Sequence, residues 1–131
     1  MKMETSSGDI AAKDNEAKII DLFSSSGDIT SYNQVLEDTK METSSGDIDV
    51  KTEEVKGNVS LEASSGDIDV KLTKAPASLI VDYKGGSGDG TANIDGMNFS
   101  EKSEDRIVGQ TRDGNFKLTA RTSSGDFKIK D

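Results

Sequence analysis

Six aspartates recur along the chain at a spacing that could place their carboxylates in a row. Each follows a glycine in a repeated string whose fullest forms are "SSGDI" and "SSGDF". The six residues are Asp9, Asp28, Asp47, Asp67, Asp89 and Asp126. A row of carboxylate oxygens could bind a hard cation such as Ca²⁺, which takes six to eight oxygen ligands. These aspartates are therefore candidate metal ligands.

The same string could instead be a structural corner. In this interpretation the glycine supplies a positive φ, and the carboxylate accepts a hydrogen bond from a nearby backbone N–H, as in an Asx turn. The turn glycines are Gly8, Gly27, Gly46, Gly66, Gly88 and Gly125. Serine hydroxyls would form ladders beside them, at Ser6, Ser25, Ser44, Ser64, Ser123 and the serines that follow these. Carboxylates stacked about 4.8 Å apart repel by roughly 1 kcal/mol even in bulk water, so the corner interpretation needs such bonds.

Two binding hypotheses fit the sequence less well than the structural corner. The stretch "GGSGDGTAN" from Gly85 to Asn93 is similar to a calcium β-roll repeat, but Gly90 stands where that repeat needs an aspartate. A threonine row such as Thr5, Thr43 and Thr122 is typical of ice-binding solenoids, but the alternation of the flanking residues points this row inward.

A catalytic hypothesis can be stated for closely spaced carboxylates. Asp47 with Asp49, or Asp67 with Asp69, could serve as the acid and base of a glycoside hydrolase. The spacing recurs from repeat to repeat, however, whereas an active site is a unique place with one perturbed group. The aromatic residues Tyr32, Tyr83, Phe23 and Phe99 are too scattered to form a sugar-stacking platform. We therefore expect no enzyme activity and no cofactor.

Composition narrows the range of partners. The net charge is −9, which disfavours nucleic acid or an anionic membrane surface as a partner, because both need clustered lysine and arginine. The chain contains no histidine and no cysteine, which removes the commonest general base and all thiol chemistry. No apolar run approaches the length of a membrane span, and no signal segment is visible. A protein, a peptide or a cell-surface component remains open as a partner.

The motif glycines define a repeat. They are spaced at intervals of 19, 19, 20, 22 and 37 residues, so we interpret the last interval as a double turn that lost one motif. A period near 20 residues indicates a stacked repeat architecture. Residues 1–131 are predicted to form one all-β parallel β-solenoid of about seven coils. Because the chain opens inside a repeat, we also expect it to be the C-terminal portion of a longer protein.

Apolar residues occupy fixed columns relative to each motif glycine. Two and four residues after the glycine the columns read Ile10, Ile29, Ile48, Ile68, Gly90, Phe127 and Ala12, Ser31, Val50, Val70, Ala92, Ile129. Five and seven residues before it they read Met3, Leu22, Met41, Leu61, Tyr83, Ala120 and Ile20, Thr39, Val59, Val81, Leu118. This period-2 alternation predicts strands with one buried face. The segment from Lys13 to Phe23 could also form a short helix, but the column register favours a strand.

The outermost coils would leave strand edges exposed. At the C-terminal end, Lys128 and Lys130 alternate with apolar residues and are predicted to protect that edge, because lysines discourage edge-to-edge pairing. Around Met3 and Ile10 only Lys2 could do so. We therefore predict that the N-terminal end lies against an upstream segment or associates end to end with another copy.

The repeats resemble a known family. Recurrent "TSSGDIxV" coils, the irregular stretch "LIVDYKGGSGDGTANIDG" and the C-terminal "RIVGQTRDGNFKLTARTSSGDFKI" are similar to the putative-adhesin family of bacterial β-strand-repeat proteins. The resemblance implies a right-handed β-solenoid at or near the cell envelope, in some members linked to envelope stress and antimicrobial peptides. It supplies no catalytic or binding residues. The leading hypothesis is a non-catalytic binding or spacer module of the envelope; the alternative is a stress sensor whose aspartates recruit Ca²⁺ or cationic peptides.

Overall fold

The chain folds entirely into strands joined by bends and turns in the part that is described. A computed structural model describes residues 2–13, 19–73, 79–94, 97–103, 105–111 and 116–130. The strands are β1 (Lys2–Thr5), β2 (Ile10–Lys13), β3 (Ile19–Ser24), β4 (Ile29–Leu36), β5 (Asp38–Thr43), β6 (Ile48–Val55), β7 (Val59–Ala63), β8 (Ile68–Leu72), β9 (Leu79–Gly85), β10 (Gly90–Asn93), β11 (Met97–Lys102), β12 (Arg106–Thr111), β13 (Phe116–Thr122) and β14 (Phe127–Lys130). Over these ranges no helix is present that could cross a membrane.

Two sheets face each other across one core. The eight-stranded sheet has the order β1-β3-β5-β7-β13-β9-β12-β11, and the six-stranded sheet has the order β10-β14-β8-β6-β4-β2. Each coil contributes one strand to each sheet, with a Ser-Gly-Asp corner between the two. Like strands pair in parallel, for example Ile48 with Ile68 and Val50 with Val70. The predicted all-β fold with parallel stacked strands is therefore confirmed.

Six such coils lie in the described ranges, rather than about seven. The described residues between the motif glycines Gly88 and Gly125 do not form a further coil with a lost motif. They contain the hairpin β11–β12 instead, in which β12 pairs antiparallel with β9 and β11 pairs antiparallel with β12. The long interval is thus a change of strand direction, which motif spacing alone does not reveal.

The last coil in sequence is not the last coil in space. Strand β13 pairs with β7 on one side and β9 on the other, and β14 pairs with β8 and β10. The prediction that Lys128 and Lys130 protect an exposed edge is therefore wrong. Lys128 lies between Asp69 and Thr91 on β14, an interior strand next to the edge strand β10 of the six-stranded sheet.

Complementary side-chain sizes account for this insertion. The coil of β9 and β10 has the large Tyr83 at one core position and Gly90 at the other. The inserted coil of β13 and β14 has the small Ala120 and the large Phe127 at the corresponding positions. The register pairs Ala120 with Tyr83 and Gly90 with Phe127, so each large ring lies beside a small residue. A Cβ at Gly90 would overlap the Tyr83 ring. The two coils therefore fit each other as a pair.

The predicted columns form the core. Their apolar members are buried in one continuous cluster, with Met3 in the outermost coil the exception at 37% exposure. Ser31 and Thr39, the polar members, are also buried. Around Ile20 and Leu22 the chain is a strand with both side chains inward, which confirms the strand interpretation over a helix. Residues 14–18 of that segment lie outside the described ranges.

Candidate functional site

The six motif aspartates lie in one column along the edge where the two sheets meet. Their order in the column follows the stacking of the coils and not the sequence, because Asp126 stands between Asp67 and Asp89. We call this set the aspartate column; in stacking order it consists of Asp9, Asp28, Asp47, Asp67, Asp126 and Asp89. All six side chains are exposed.

Each carboxylate in the column except the last accepts a hydrogen bond from the next coil. The N–H groups of Asp28, Asp47, Asp67, Asp126 and Asp89 donate to Oδ1 of the preceding aspartate at 2.9, 2.9, 2.8, 2.8 and 2.9 Å. The backbone carbonyl of each donor aspartate accepts in return, as when Asp47 O receives the N–H of Ile29 at 2.8 Å. The predicted carboxylate to N–H bond exists, but it joins neighbouring coils and does not close its own turn.

This geometry offsets the repulsion within the column. Carboxylates about 4.8 Å apart repel by roughly 1 kcal/mol in water, and salt reduces this further. A hydrogen bond to a charged group stabilises by about 1.5–3 kcal/mol, so the bond outweighs the repulsion at each step. Over the described ranges no three acidic side chains are grouped so that they could hold a metal ion. The aspartate column is arranged to join coils.

A second set of hydroxyls lies on the inner side of the corner, three residues before the glycine. Ser24 Oγ accepts the N–H of Gly27 at 2.8 Å and donates to the carbonyl of Gly8 at 3.2 Å. Thr43 repeats both bonds with Gly46 and Gly27, each at 3.1 Å. The inward orientation was predicted for this column, but the two bonds were not. Their signal in the sequence is the Thr or Ser that recurs at this position in four of the six motifs, with Ala63 and Gly85 in the other two.

Serine hydroxyls add a third connection between coils. The second serine of a motif donates to the carbonyl of the first serine in the preceding coil, as from Ser26 to Ser6 at 3.2 Å and from Ser45 to Ser25 at 3.3 Å. The predicted serine ladder therefore runs from hydroxyl to backbone carbonyl, and not between hydroxyls. It leaves the serines engaged in scaffolding.

The motif glycines are required by close packing between coils. A Cβ at Gly27, Gly46, Gly66, Gly88 or Gly125 would overlap the carbonyl oxygen of the motif glycine in the adjacent coil. None of these glycines has φ in the left-handed region, so the prediction of a positive φ is wrong. Gly8 belongs to the first of the described coils, and among the described residues its Cβ would meet only Thr5 Oγ1, at 3.2 Å.

The other corner of the coil carries a similar connection that the sequence analysis missed. Asp38 Oδ1 accepts the N–H of Asn58 at 3.2 Å, and Asn58 Oδ1 accepts the N–H of Lys117 at 3.3 Å. A Cβ at Gly57 would approach the backbone of the preceding coil within 2.6 Å. The recurring Gly-Asn before a strand was the available signal for this second column.

The carboxylate pairs considered for catalysis are divided between two environments. Asp47 belongs to the aspartate column, whereas Asp49 lies on the outward face of the six-stranded sheet directly opposite Asp69. Partial burial raises the pKa of the Asp49 carboxyl, and the neighbouring Asp69 charge raises it further. Asp49 and Asp69 thus form a contact between like charges on a sheet surface.

The aromatic residues do not gather into a platform. Tyr83 is fully buried, and its ring stacks on Phe127 with centroids 4.7 Å apart. Tyr32 is exposed on the six-stranded sheet, with the Lys13 ammonium 5.8 Å from its ring centroid. Phe23 is half-buried in β3, and Phe99 is packed against the core at the opposite end of the eight-stranded sheet.

The fold and the corner geometry together define a repeat domain of the β-solenoid type, in which motif residues bind one coil to the next. The chain matches the Toastrack DUF4097 family over residues 1–130 and belongs to that family. A comparison with curated protein sequences finds no match.

Among solved structures, the chain is similar to a putative cell adhesion protein from Clostridium sporogenes. The two share 15% sequence identity with a TM-score of 0.56, over 98% of this chain and 91% of that one. At this identity the similarity supports the fold. The family match and this neighbour agree with the adhesin-like resemblance of the sequence.

Proposed function

We propose that the chain is a non-catalytic β-solenoid module that binds or spaces components at the bacterial cell envelope. The observation that carries the proposal is the hydrogen bonding of the aspartate column. Groups that would be the candidates for chemistry are engaged between coils, as in the bond from Asp67 N–H to Asp47 Oδ1. What remains for a partner is the outward surface of the two sheets. The neighbour's description as a putative cell adhesion protein supports an extracellular or surface role.

We further infer that residues 1–131 form one domain whose coils wind in the right-handed sense. The buried residues form a single core cluster, which supports one folding unit. Each coil connects parallel strands of one sheet through a strand of the other, as β1 connects to β3 through β2. Crossovers between parallel strands of one sheet are right-handed in about 98% of cases.

The outward face of the six-stranded sheet offers the most regular surface for a partner. Lysines occupy one row across this face, because Lys51 pairs with Lys71 and Lys71 pairs with Lys130. The row continues through Tyr32 to Lys13. We call these residues the lysine row. Its charges repeat at about the 4.8 Å strand spacing, which suits a cell-surface component with repeated negative charge.

The alternative of a stress sensor that recruits Ca²⁺ or cationic peptides is less well supported. A cation at the aspartate column would compete with backbone N–H groups for Oδ1 of Asp9, Asp28, Asp47, Asp67 and Asp126. Ca²⁺ needs several oxygens converging on one point, whereas here they are distributed along a line.

Retention of the labelled protein on bacterial cells and on isolated envelope fractions tests the proposal. We expect saturable retention that unlabelled protein displaces. The double variant Lys51→Gln/Lys71→Gln should weaken it several-fold, whereas the matched variant Lys40→Gln/Lys84→Gln, which removes two exposed lysines from the other sheet, should not. Retention no greater than that of the unfolded variant Ile48→Asp would contradict a binding role. Equal effects of the two double variants would contradict the lysine row.

A further inference from the structure

Charged side chains are segregated by sign along one row of the outward face of the eight-stranded sheet. The row crosses the strands from β5 to β12, and in stacking order it reads Glu42, Glu62, Arg121, Lys84 and Arg106. We call these residues the charged row. The two acidic residues lie on β5 and β7, and the three cations lie on β13, β9 and β12. The sign of the charge therefore changes once, between β7 and β13.

This order is unfavourable within a single chain. Glu42 lies directly opposite Glu62. Lys84 lies between Arg121 on one side and Arg106 on the other. Like charges opposite each other on neighbouring strands destabilise a sheet. Arg106 binds an aspartate of the next row at 2.9 Å, but in the described part of the chain the other four residues form no ion pair. A partner whose charges run in the opposite order would offset this cost.

A second copy of the chain presents the opposite order. Consider two eight-stranded sheets packed face to face, about 10 Å apart, with a two-fold axis parallel to the strands and between β7 and β13. This axis reverses the order of the strands and keeps each residue in its row. Glu62 then faces Arg121 of the other copy, and Glu42 faces Lys84 of the other copy. Four pairs of opposite charge form across the contact, since each pair occurs twice.

The next row of the same face has matching complementarity. In stacking order it contains Lys40, Ser60, Thr119 and Asp82. The same two-fold axis places Lys40 opposite Asp82 of the other copy. It places Ser60 opposite Thr119, so the side chains nearest the axis are small and allow close approach. A two-fold axis across the strands through this row would instead place Lys40 opposite Lys40 and Asp82 opposite Asp82, which like-charge repulsion disfavours.

We propose that the outward face of the eight-stranded sheet is a self-association surface, on which two copies pack through β5, β7, β13 and β9. The contact is isologous, so the assembly closes as a dimer. Exposed ion pairs stabilise little, so we expect a weak dimer with a dissociation constant of roughly 0.1–1 mM. The proposal does not rest on the envelope-binding function. Labelled protein far below this concentration is monomeric, so the retention experiment and the dimer are tested independently.

Sedimentation equilibrium at about 0.15 M salt tests the proposal, because this salt screens the long-range repulsion between two chains of net charge −9 more than it screens pairs in contact. Glu42→Lys and Lys84→Glu each place like charges opposite one another across the contact and should weaken the dimer at least several-fold. Within one chain the same changes place opposite charges beside Glu62, or between Arg121 and Arg106. The melting temperature of each variant should therefore equal or exceed that of the parent.

A mixture of the two variants provides the decisive control. Glu42→Lys together with Lys84→Glu restores opposite charges only across a heterodimer, and the double variant Glu42→Lys/Lys84→Glu restores them within a homodimer. Lys128→Glu changes the net charge as Lys84→Glu does, but on the other sheet, and should alter the dissociation constant by no more than about twofold. Glu42→Lys makes the net charge less negative by two units, so general repulsion alone would strengthen its association.

Three results would overturn the proposal. The first is a monomer at all concentrations up to about 2 mM. The second is a dimer that Glu42→Lys leaves unchanged or strengthens, because the charged row would then lie outside the contact. The third is a dimer that both single variants weaken but that their mixture does not recover, because the two residues would then not face each other.

Discussion

The rings of Tyr83 and Phe127 stack in the core with their centroids 4.7 Å apart and their planes inclined by 15°. They belong to adjacent coils that are separated in the sequence by the hairpin β11–β12. Each ring occupies space beside a small residue of the other coil, Gly90 or Ala120. This contact explains why the last coil is inserted beside β9 and β10 and does not extend the stack.

Gly90→Ile should destabilise the protein because the new side chain would overlap the Tyr83 ring. Overpacking of this kind costs about 1–3 kcal/mol. Two other coils have leucine at the column position of Tyr83, as Leu22 and Leu61. In the double variant Gly90→Ile/Tyr83→Leu, the smaller leucine should relieve the overlap. The free energies of unfolding in urea should therefore be non-additive, with a coupling of about 0.5–3 kcal/mol. Additive losses would show that Tyr83 and Gly90 do not share this space.

The inserted order of the coils can be tested by disulfide trapping, because the natural chain has no cysteine. Glu62 pairs with Arg121, and Arg121 pairs with Lys84, so β13 separates Glu62 from Lys84. Glu62→Cys/Arg121→Cys should form a disulfide on oxidation. Glu62→Cys/Lys84→Cys should not, because two strand spacings of about 4.8 Å exceed the reach of a disulfide. Mass spectrometry of unreduced digests distinguishes the two outcomes, and the reverse result would indicate sequential stacking.

These two features show where sequence reasoning was sufficient and where it was not. Alternation within each repeat identified the inward residues, such as Ile48 and Val50, because period 2 is a local property of a strand. The stacking order is non-local, since it depends on which coils have complementary sizes. The signal for this in the sequence was residue size. In their columns, which otherwise contain mainly Met, Leu or Ile, the chain has Tyr83, Gly90 and Phe127.

The corner was also predicted in part. The sequence predicted structural roles for Gly46 and Asp47, but it predicted that glycine is needed for the φ of its own turn. Glycine is needed instead because a Cβ at position 46 would overlap the carbonyl of Gly27 in the neighbouring coil. Contacts between coils depend on the exact stacking register, which a motif within one coil cannot specify.

Gly46→Ala and Gly8→Ala form a matched pair for this close packing. The Cβ of alanine at position 46 would overlap the Gly27 carbonyl, so we expect a loss of stability of about 2 kcal/mol or more. At position 8 the nearest atom is Thr5 Oγ1 at 3.2 Å, and the loss should be within about 0.5 kcal/mol. Thermal or urea unfolding measures both. Equal losses would mean that glycine is needed for the turn itself and not for the contact between coils.

The pH dependence of stability should contain a contribution from Asp49. Its folded pKa is raised by burial and by Asp69 above the ordinary value of 3.8. The folded state therefore holds this proton more tightly, and stability from this group falls as pH rises from below 3.8 through the folded pKa. Asp49→Asn should raise stability at pH 7 by about 0.5 kcal/mol and lose this advantage below the ordinary carboxyl pKa. A variant less stable than the parent at pH 7 would contradict this.

The most direct test of the central claim is the free energy of unfolding of Asp47→Asn beside Asp47→Ala. The claim is that the aspartate column serves as a series of hydrogen-bond acceptors between coils. Asparagine keeps an oxygen for the N–H of Asp67 and should change stability by less than about 0.5 kcal/mol, whereas alanine removes it and should cost about 1–3 kcal/mol. Asp89→Ala, at the end of the column in the described part of the chain, should have little effect. Equal losses for asparagine and alanine, or no loss for alanine, would contradict the claim.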